Sequence, residues 1–166
     1  MSPLATRDID PSELTAEPVR AALDHWRALA ADGRLPSRRD LDPASLGPAL
    51  LPHVMLVDVI GRPPAFAHRL IGSHVTERLG RDYTGRRFED CGYGDSLPAI
   101  RQAYERCVET GRPNAGRGLG RWADRDWLAY EIARMPLARD GATVDMIFAA
   151  IAFMPAEPGE AALMPG

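Results

Sequence analysis

Asp58, His68 and Glu131 are the side chains best suited to acid–base chemistry in this chain. Only their meeting in one open cleft would make the protein a small hydrolase or isomerase, and nothing in their spacing requires it. The chain has no Gly-x-Ser-x-Gly, no His-Glu-x-x-His and no paired cysteines. No catalytic residue is therefore assigned, and the protein is read as a non-enzyme. Glu131 falls between Ala129 and Ala133 in a strand pattern, where a covered carboxylate needs an arginine partner or solvent. Turn chemistry accounts for Asp124, Asp126 and Asp140.

The run Gly116-Arg117-Gly118-Leu119-Gly120-Arg121 invites a phosphate-loop reading. It lacks the Gly-x-x-x-x-Gly-Lys-Ser/Thr pattern and does not join a strand to a helix. As a strand it places the three glycines on one face and Arg117, Leu119 and Arg121 on the other. A twisted or bulged strand explains the stripe; with the arginine face turned inward, Arg117 and Arg121 would bind an anionic ligand instead. Cys91 and Cys107 have no metal spacing and read as reduced thiols of a cytosolic protein. No metal site is expected.

Net charge is −3, and all 20 basic residues are arginine without a long basic block. That balance argues against a nucleic-acid partner. The N-terminus lacks a signal pattern, and the apolar run from Met146 to Met154 is too short to span a bilayer. The expectation is a cytoplasmic protein with no membrane insertion.

The elements that must position these residues follow from periodicity. Residues 1 to about 14 read as a loose arm. Val19, Ala22, Leu23, Trp26, Leu29 and Ala30 then follow helical spacing, with Pro18 at the start and Gly33 after the end. Asp42-Pro43 caps a short helix through Leu50. Met55–Val59 and Phe66–Ile71 form a strand pair around Gly61-Arg62-Pro63-Pro64, and His74–Leu79 is a short helix closed by Gly80. Leu97, Ile100, Ala103, Tyr104, Cys107 and Val108 share one helix face that ends at Gly111. Strands follow over Asn114–Trp122, from Asp126 onward, and over Val144–Phe153. The last is apolar at almost every position, so both of its faces should be covered. Strands flanking a helical middle imply an α+β fold.

In this order, Leu51-Pro52-His53-Val54 running into Met55–Val59, Phe66 to Ser73, Gly80 to Phe88, and Glu131 to Gly141 with its Pro136-Leu137 turn resemble the PAS domain superfamily. The likeness is to short single-domain bacterial PAS proteins. It implies a five-stranded antiparallel sheet in the order 2-1-5-4-3, helices on one face enclosing a pocket, and the last strand at the centre. The N-terminal amphipathic helix would cover the other face, from its own chain or a partner's. The implied divisions are an arm and helix over 1–40, a PAS-like domain over 41–154 and a flexible tail over 155–166. On this reading residues 1–40 and 155–166 are expected to be too short for a kinase, cyclase or DNA-binding output domain.

The resemblance also frames the cofactor question. Cys91 lacks the helical Gly-x-Asn-Cys-Arg-Phe-Leu-Gln surroundings of flavin-binding members, and the long helix lacks the histidine that haem-binding members place there. Haem and flavin are disfavoured, and no cofactor is required; His68 reads as a hydrogen-bonded structural residue. The implied ligand pocket is lined by Phe66, His68, Leu70, Phe88, Ile100, Tyr104, Leu128, Tyr130, Ile132 and Met146. An interaction helix presents Val19, Leu23, Trp26 and Leu29 to its own sheet, to a second copy in a homodimer, or to another protein. The functional expectation is a sensory or adaptor module in signalling, working through protein–protein interaction under the control of a small ligand. The alternative is a small-molecule receptor holding a ligand or haem.

Overall fold

The computed structural model describes residues 6–120 and 125–156, with side chains from 7 to 120 and from 128 to 156. In chain order the elements are β1 (Thr6–Ile9), α1 (Glu17–Leu29), α2 (Pro43–Leu50), β2 (Val54–Ile60), β3 (Ala65–Ile71), α3 (Ser73–Leu79), α4 (Leu97–Thr110), β4 (Asn114–Gly120), β5 (Arg125–Leu137) and β6 (Met146–Pro155). One antiparallel sheet runs β1-β4-β5-β6-β2-β3. Without β1, and read from the β3 edge, this is the expected 2-1-5-4-3 order.

The sixth strand corrects the expectation of five and the reading of residues 1–14 as a loose arm. Thr6–Ile9 pairs with the outer edge of β4, from Thr6 opposite Gly118 to Ile9 opposite Ala115. An edge strand can form with little hydrophobic signal, because the exposed backbone groups of its neighbour supply the pairing. Asp8 adds an ion pair to Arg106 of α4 at 2.6 Å.

β6 lies between β5 and β2 and is covered on both sides. Ile147, Ala149, Ile151 and Phe153 face one core, and Phe148, Ala150 and Ala152 face another. This two-sided burial is why the strand lacks polar alternation. The strand begins at Met146, however, and Val144 remains in the preceding turn at the core's rim.

The inner core lies under α3, α4 and the 80–96 segment. α4 buries Ile100, Ala103, Tyr104 and Cys107, and ends where Gly111 turns left-handed at φ 63°. The outer core lies under α1 and α2, so helices occupy both faces. The expectation of pocket helices on one face omitted α2. Asp42 accepts from Ala44 N at 3.0 Å and starts that helix, while Leu46 and Leu50 direct it to the α1 side.

α1 docks on its own sheet. Val19, Ala22, Leu23 and Trp26 are buried, and Trp26 Nε1 donates to Pro136 O at 2.8 Å. Each large apolar side chain contributes about 1.5–3 kcal/mol on burial, which holds in place a helix too short to be stable alone. The Val19, Leu23 and Trp26 face is buried against the chain's own sheet, and Leu29 is partly buried at its end. Among the described residues no helix is long and apolar enough to cross a membrane.

Candidate functional site

A small cavity of about 40 Å³ lies on the inner face of the sheet, between β2, β3, β5, β6 and the helices above them. Its walls include His68, Ile100, Tyr104, Tyr130 and Ile132. These are five of the ten side chains assigned to a pocket from the sequence. Phe66, Phe88 and Leu128 belong to the same inner core without lining the cavity.

Leu70 and Met146 do not belong there. Between β2 and β3 the register passes from Leu56 opposite Leu70 to Val57 opposite His68, leaving Arg69 as an extra residue. One extra residue reverses the alternation beyond it. Phe66 and His68 point in, Ile71 returns to the inner core, and Leu70 is left 41 % exposed. Arg69, also outward, pairs with Asp58 at 2.9 Å. Met146 lies one residue out of phase with Ile147 and packs with the outer core.

His68 is 3 % exposed, and its Nε2 lies 2.7 Å from the Tyr93 hydroxyl. The rings of Phe88 and Tyr83 stand 4.8 and 5.9 Å away. Burial pushes the imidazole pKa down to about 4, so the ring is neutral at ordinary pH. Its Nδ1 has no hydrogen-bond partner among the described residues. The 80–96 segment is tied to the same strand: His68 N donates to Arg86 O at 2.9 Å and Gly85 N to His68 O at 2.7 Å.

Residues outside the sequence-derived set complete the wall: Met55, Val75, Leu79, Tyr83, Tyr93, Ile151 and, above all, Arg134. Arg134 is 2 % exposed. It stands on β5 four residues after Tyr130 and two after Ile132, so period-2 alternation alone marks it as inward. Its Nη1 donates to Asn114 Oδ1 at 3.1 Å, and its guanidinium carbon lies 5.1 Å from the centre of the Tyr104 ring. Asn114 Nδ2 in turn donates to Ala103 O of α4 at 2.9 Å.

The acid–base trio is dispersed. Asp58 faces outward with Arg69, His68 faces the cavity, and Glu131 lies on the outer face. Of the two options its position left, an arginine or solvent, Glu131 has the arginine, Arg117 Nε at 3.0 Å, and it also accepts from Thr15 N and Ala16 N. Arg117 thus points outward, and the glycines alternating with it turn to the inner side of β4. This disposes of Arg117 as an inward anion ligand; Arg121 lies outside the described residues.

The thiols are also protected. Cys91 Sγ donates to Arg87 O at 3.2 Å, and burial raises its pKa to about 11. Cys107 is pushed up to about 12, again by burial. Neither is a thiolate near neutral pH. Among the described residues no group of three or more His, Cys, Asp and Glu is placed to hold a metal ion. The cavity is also far below the roughly 300–1,000 Å³ of sites that enclose drug-sized ligands. Haem or flavin would require a large opening of the inner core.

An antiparallel sheet with an apolar, helix-covered inner face defines an α+β domain. A model of the PAS domain matches residues 7–152, and the chain belongs to that family. The match begins ahead of α1. No curated protein matches. Among solved structures, the chain is similar to an RNA-binding Light-Oxygen-Voltage receptor at 17 % identity and a TM-score of 0.45, covering 78 % of this chain and 37 % of the receptor. The chain therefore spans little more than a third of that protein.

Proposed function

We propose that this PAS protein is a non-catalytic sensory module that takes a small molecule into the inner cavity and passes the change to a protein partner. The observation that carries the reading is the pairing of an aromatic wall with two buried polar side chains, His68 and Arg134, around one cavity. Buried polar groups are costly without partners, and ligand sites characteristically combine apolar walls with a few such groups.

The route outward is the central strand. Ile151 of β6 lines the cavity, while its neighbours Ala150 and Ala152 pack on the α1 side. A change at the cavity therefore reaches the outer layer through one element. Since the apolar face of α1 is buried, a partner or a second copy of this chain would meet the exposed Arg20, Asp24 and Arg27. The cytoplasm is the compartment this reading assigns.

Native mass spectrometry of freshly purified full chain, with its absorbance spectrum, tests the proposal. The expected result is a colourless protein carrying a small mass that is lost on denaturation. A bare mass, with no small molecule shifting the melting temperature in a screen, would overturn it.

A further inference from the structure

Arg134 is a permanently charged guanidinium with five N–H donors and a position almost closed to solvent. Among the described residues it bonds to the Asn114 side-chain oxygen and to the Tyr104 hydroxyl, both neutral groups, and its Nε has no hydrogen-bond partner. The buried polar or charged side chains among these residues are His68, Glu131 and Arg134. The one carboxylate of that set, Glu131, lies on the opposite face and is bound to Arg117, Thr15 and Ala16. The titratable groups on the Arg134 side include Tyr93, Tyr104 and Cys107, all held protonated by burial, and His68, held neutral. The inner core thus contains a cation whose counter-charge is not supplied by these neighbours, at the edge of a cavity.

We propose that the cavity takes a small carboxylate, read by Arg134. This rests on the cavity being a ligand site, and adds the chemical class of the ligand. The Nε edge of a guanidinium is a planar fork that matches a carboxylate, and the Nη1 side is already committed to Asn114. Volume sets the size. About 40 Å³ of water-sized space accommodates roughly three waters, or the three or four heavy atoms of formate or acetate. The His68 Nδ1 is a second polar group on the same wall without a partner among the described residues. Binding would also have a structural consequence. Arg134 is linked to α4 through Asn114 and Ala103 O, and rests beside the Tyr104 ring of the same helix.

The test is calorimetric titration of the full chain with sodium acetate, sodium formate, acetamide and sodium chloride at constant ionic strength. Native mass spectrometry is run on the same preparation. Acetate or formate should bind at least tenfold more tightly than acetamide, and chloride should not displace it. Arg134→Gln, verified as folded by near-ultraviolet circular dichroism, should lose at least tenfold in carboxylate affinity. The comparison of acetate with acetamide needs no variant, so it decides the matter even if Arg134→Gln fails to fold. Equal binding of acetamide, displacement by chloride, or unchanged binding by folded Arg134→Gln would overturn the carboxylate class and leave the cavity reading standing. A bound neutral molecule with no carboxylate binding would do the same. No binding of any probe and no bound mass would remove both.

Discussion

Glu131 Oε1 on β5 accepts the backbone N–H of Ala16 at 2.7 Å, so a carboxylate buried in the sheet caps the start of α1 from another part of the chain. Ala16 has no side chain able to do this for its own helix. The same carboxylate accepts from Thr15 N, Thr15 Oγ1 and Arg117 Nε. Burial pushes the Glu131 carboxyl pKa up, but the hydrogen bonds from Ala16, Arg117 and Thr15 outweigh it and hold it below the usual range. Glu131→Ala should lower unfolding free energy by about 3 kcal/mol, because Arg117 and two backbone donors lose their acceptor together. Glu131→Gln keeps an acceptor and should cost less. Urea denaturation of the two variants measures the order. The contribution is present above the ordinary carboxylate range and is lost as pH falls through the lowered folded value.

Trp26 separates packing from hydrogen bonding on the same helix. Trp26→Phe retains most of the ring and loses the bond to Pro136 O, which should cost about 1 kcal/mol or somewhat more. Trp26→Ala also leaves a cavity and should cost about 3–5 kcal/mol. Unchanged denaturation midpoints would mean that α1 does not rest on its own sheet in solution.

His68 makes stability depend on pH in a defined window. Its folded pKa is about 4 against an ordinary 6.5, so the unfolded chain binds the proton more readily between those values. The stabilisation is complete above about pH 6.5 and declines as pH falls toward 4, by on the order of 3 kcal/mol. His74, whose Nε2 accepts from Phe153 N at 3.2 Å, is also lowered to about 4, by burial first and then by His53 and Arg78. It should add a smaller loss in the same window. Unfolding at pH 7, 6 and 5 measures the slope, and His68→Phe should flatten most of it.

Much of this architecture was legible. The apolar run through Phe153 marks a strand covered on both faces, Asp42-Pro43 marks a helix start, and the spacing from Leu97 to Gly111 gives α4. β1 was not legible, because Ile9 is its only large apolar residue and β4 supplies its pairing. The Arg69 bulge has no glycine or proline to announce it. Its position depends on how β2 meets β3, which displaced Leu70 from the assigned pocket. Arg134 was half legible. Its parity with Tyr130 and Ile132, opposite to that of Glu131, fixes its face. Whether another side chain approaches to neutralise it is a tertiary property.

The bulge itself can be tested with side chains on either side of it. Leu70→Asp should cost no more than about 1 kcal/mol, since the side chain is 41 % exposed on the outer surface and lines no core. Phe66→Ala should cost about 3–5 kcal/mol, because Phe66 is buried against Phe88 and Tyr104. If Leu70→Asp unfolds the domain, the alternation runs unbroken through β3 and Leu70 returns to the cavity.

Gly72 joins β3 to α3 at a point where a side chain has no room. A Cβ there would lie 2.2 Å from Pro52 O and 2.7 Å from Leu51 O, both backbone atoms of the turn before β2. Gly72 N also donates to Val54 O at 2.8 Å, so the segment cannot withdraw without breaking a sheet-edge bond. The backbone φ of −67° is open to any residue, which leaves sterics as the reason for glycine. Gly72→Ala should therefore cost about 3 kcal/mol, toward or beyond the upper end for overpacking. The strain falls beside β2, whose Met55 lines the cavity, so weaker binding of any cavity ligand should accompany the lower melting temperature. A melting temperature equal to that of the unsubstituted chain would show that α3 stands farther from the Leu51–His53 turn than this packing requires.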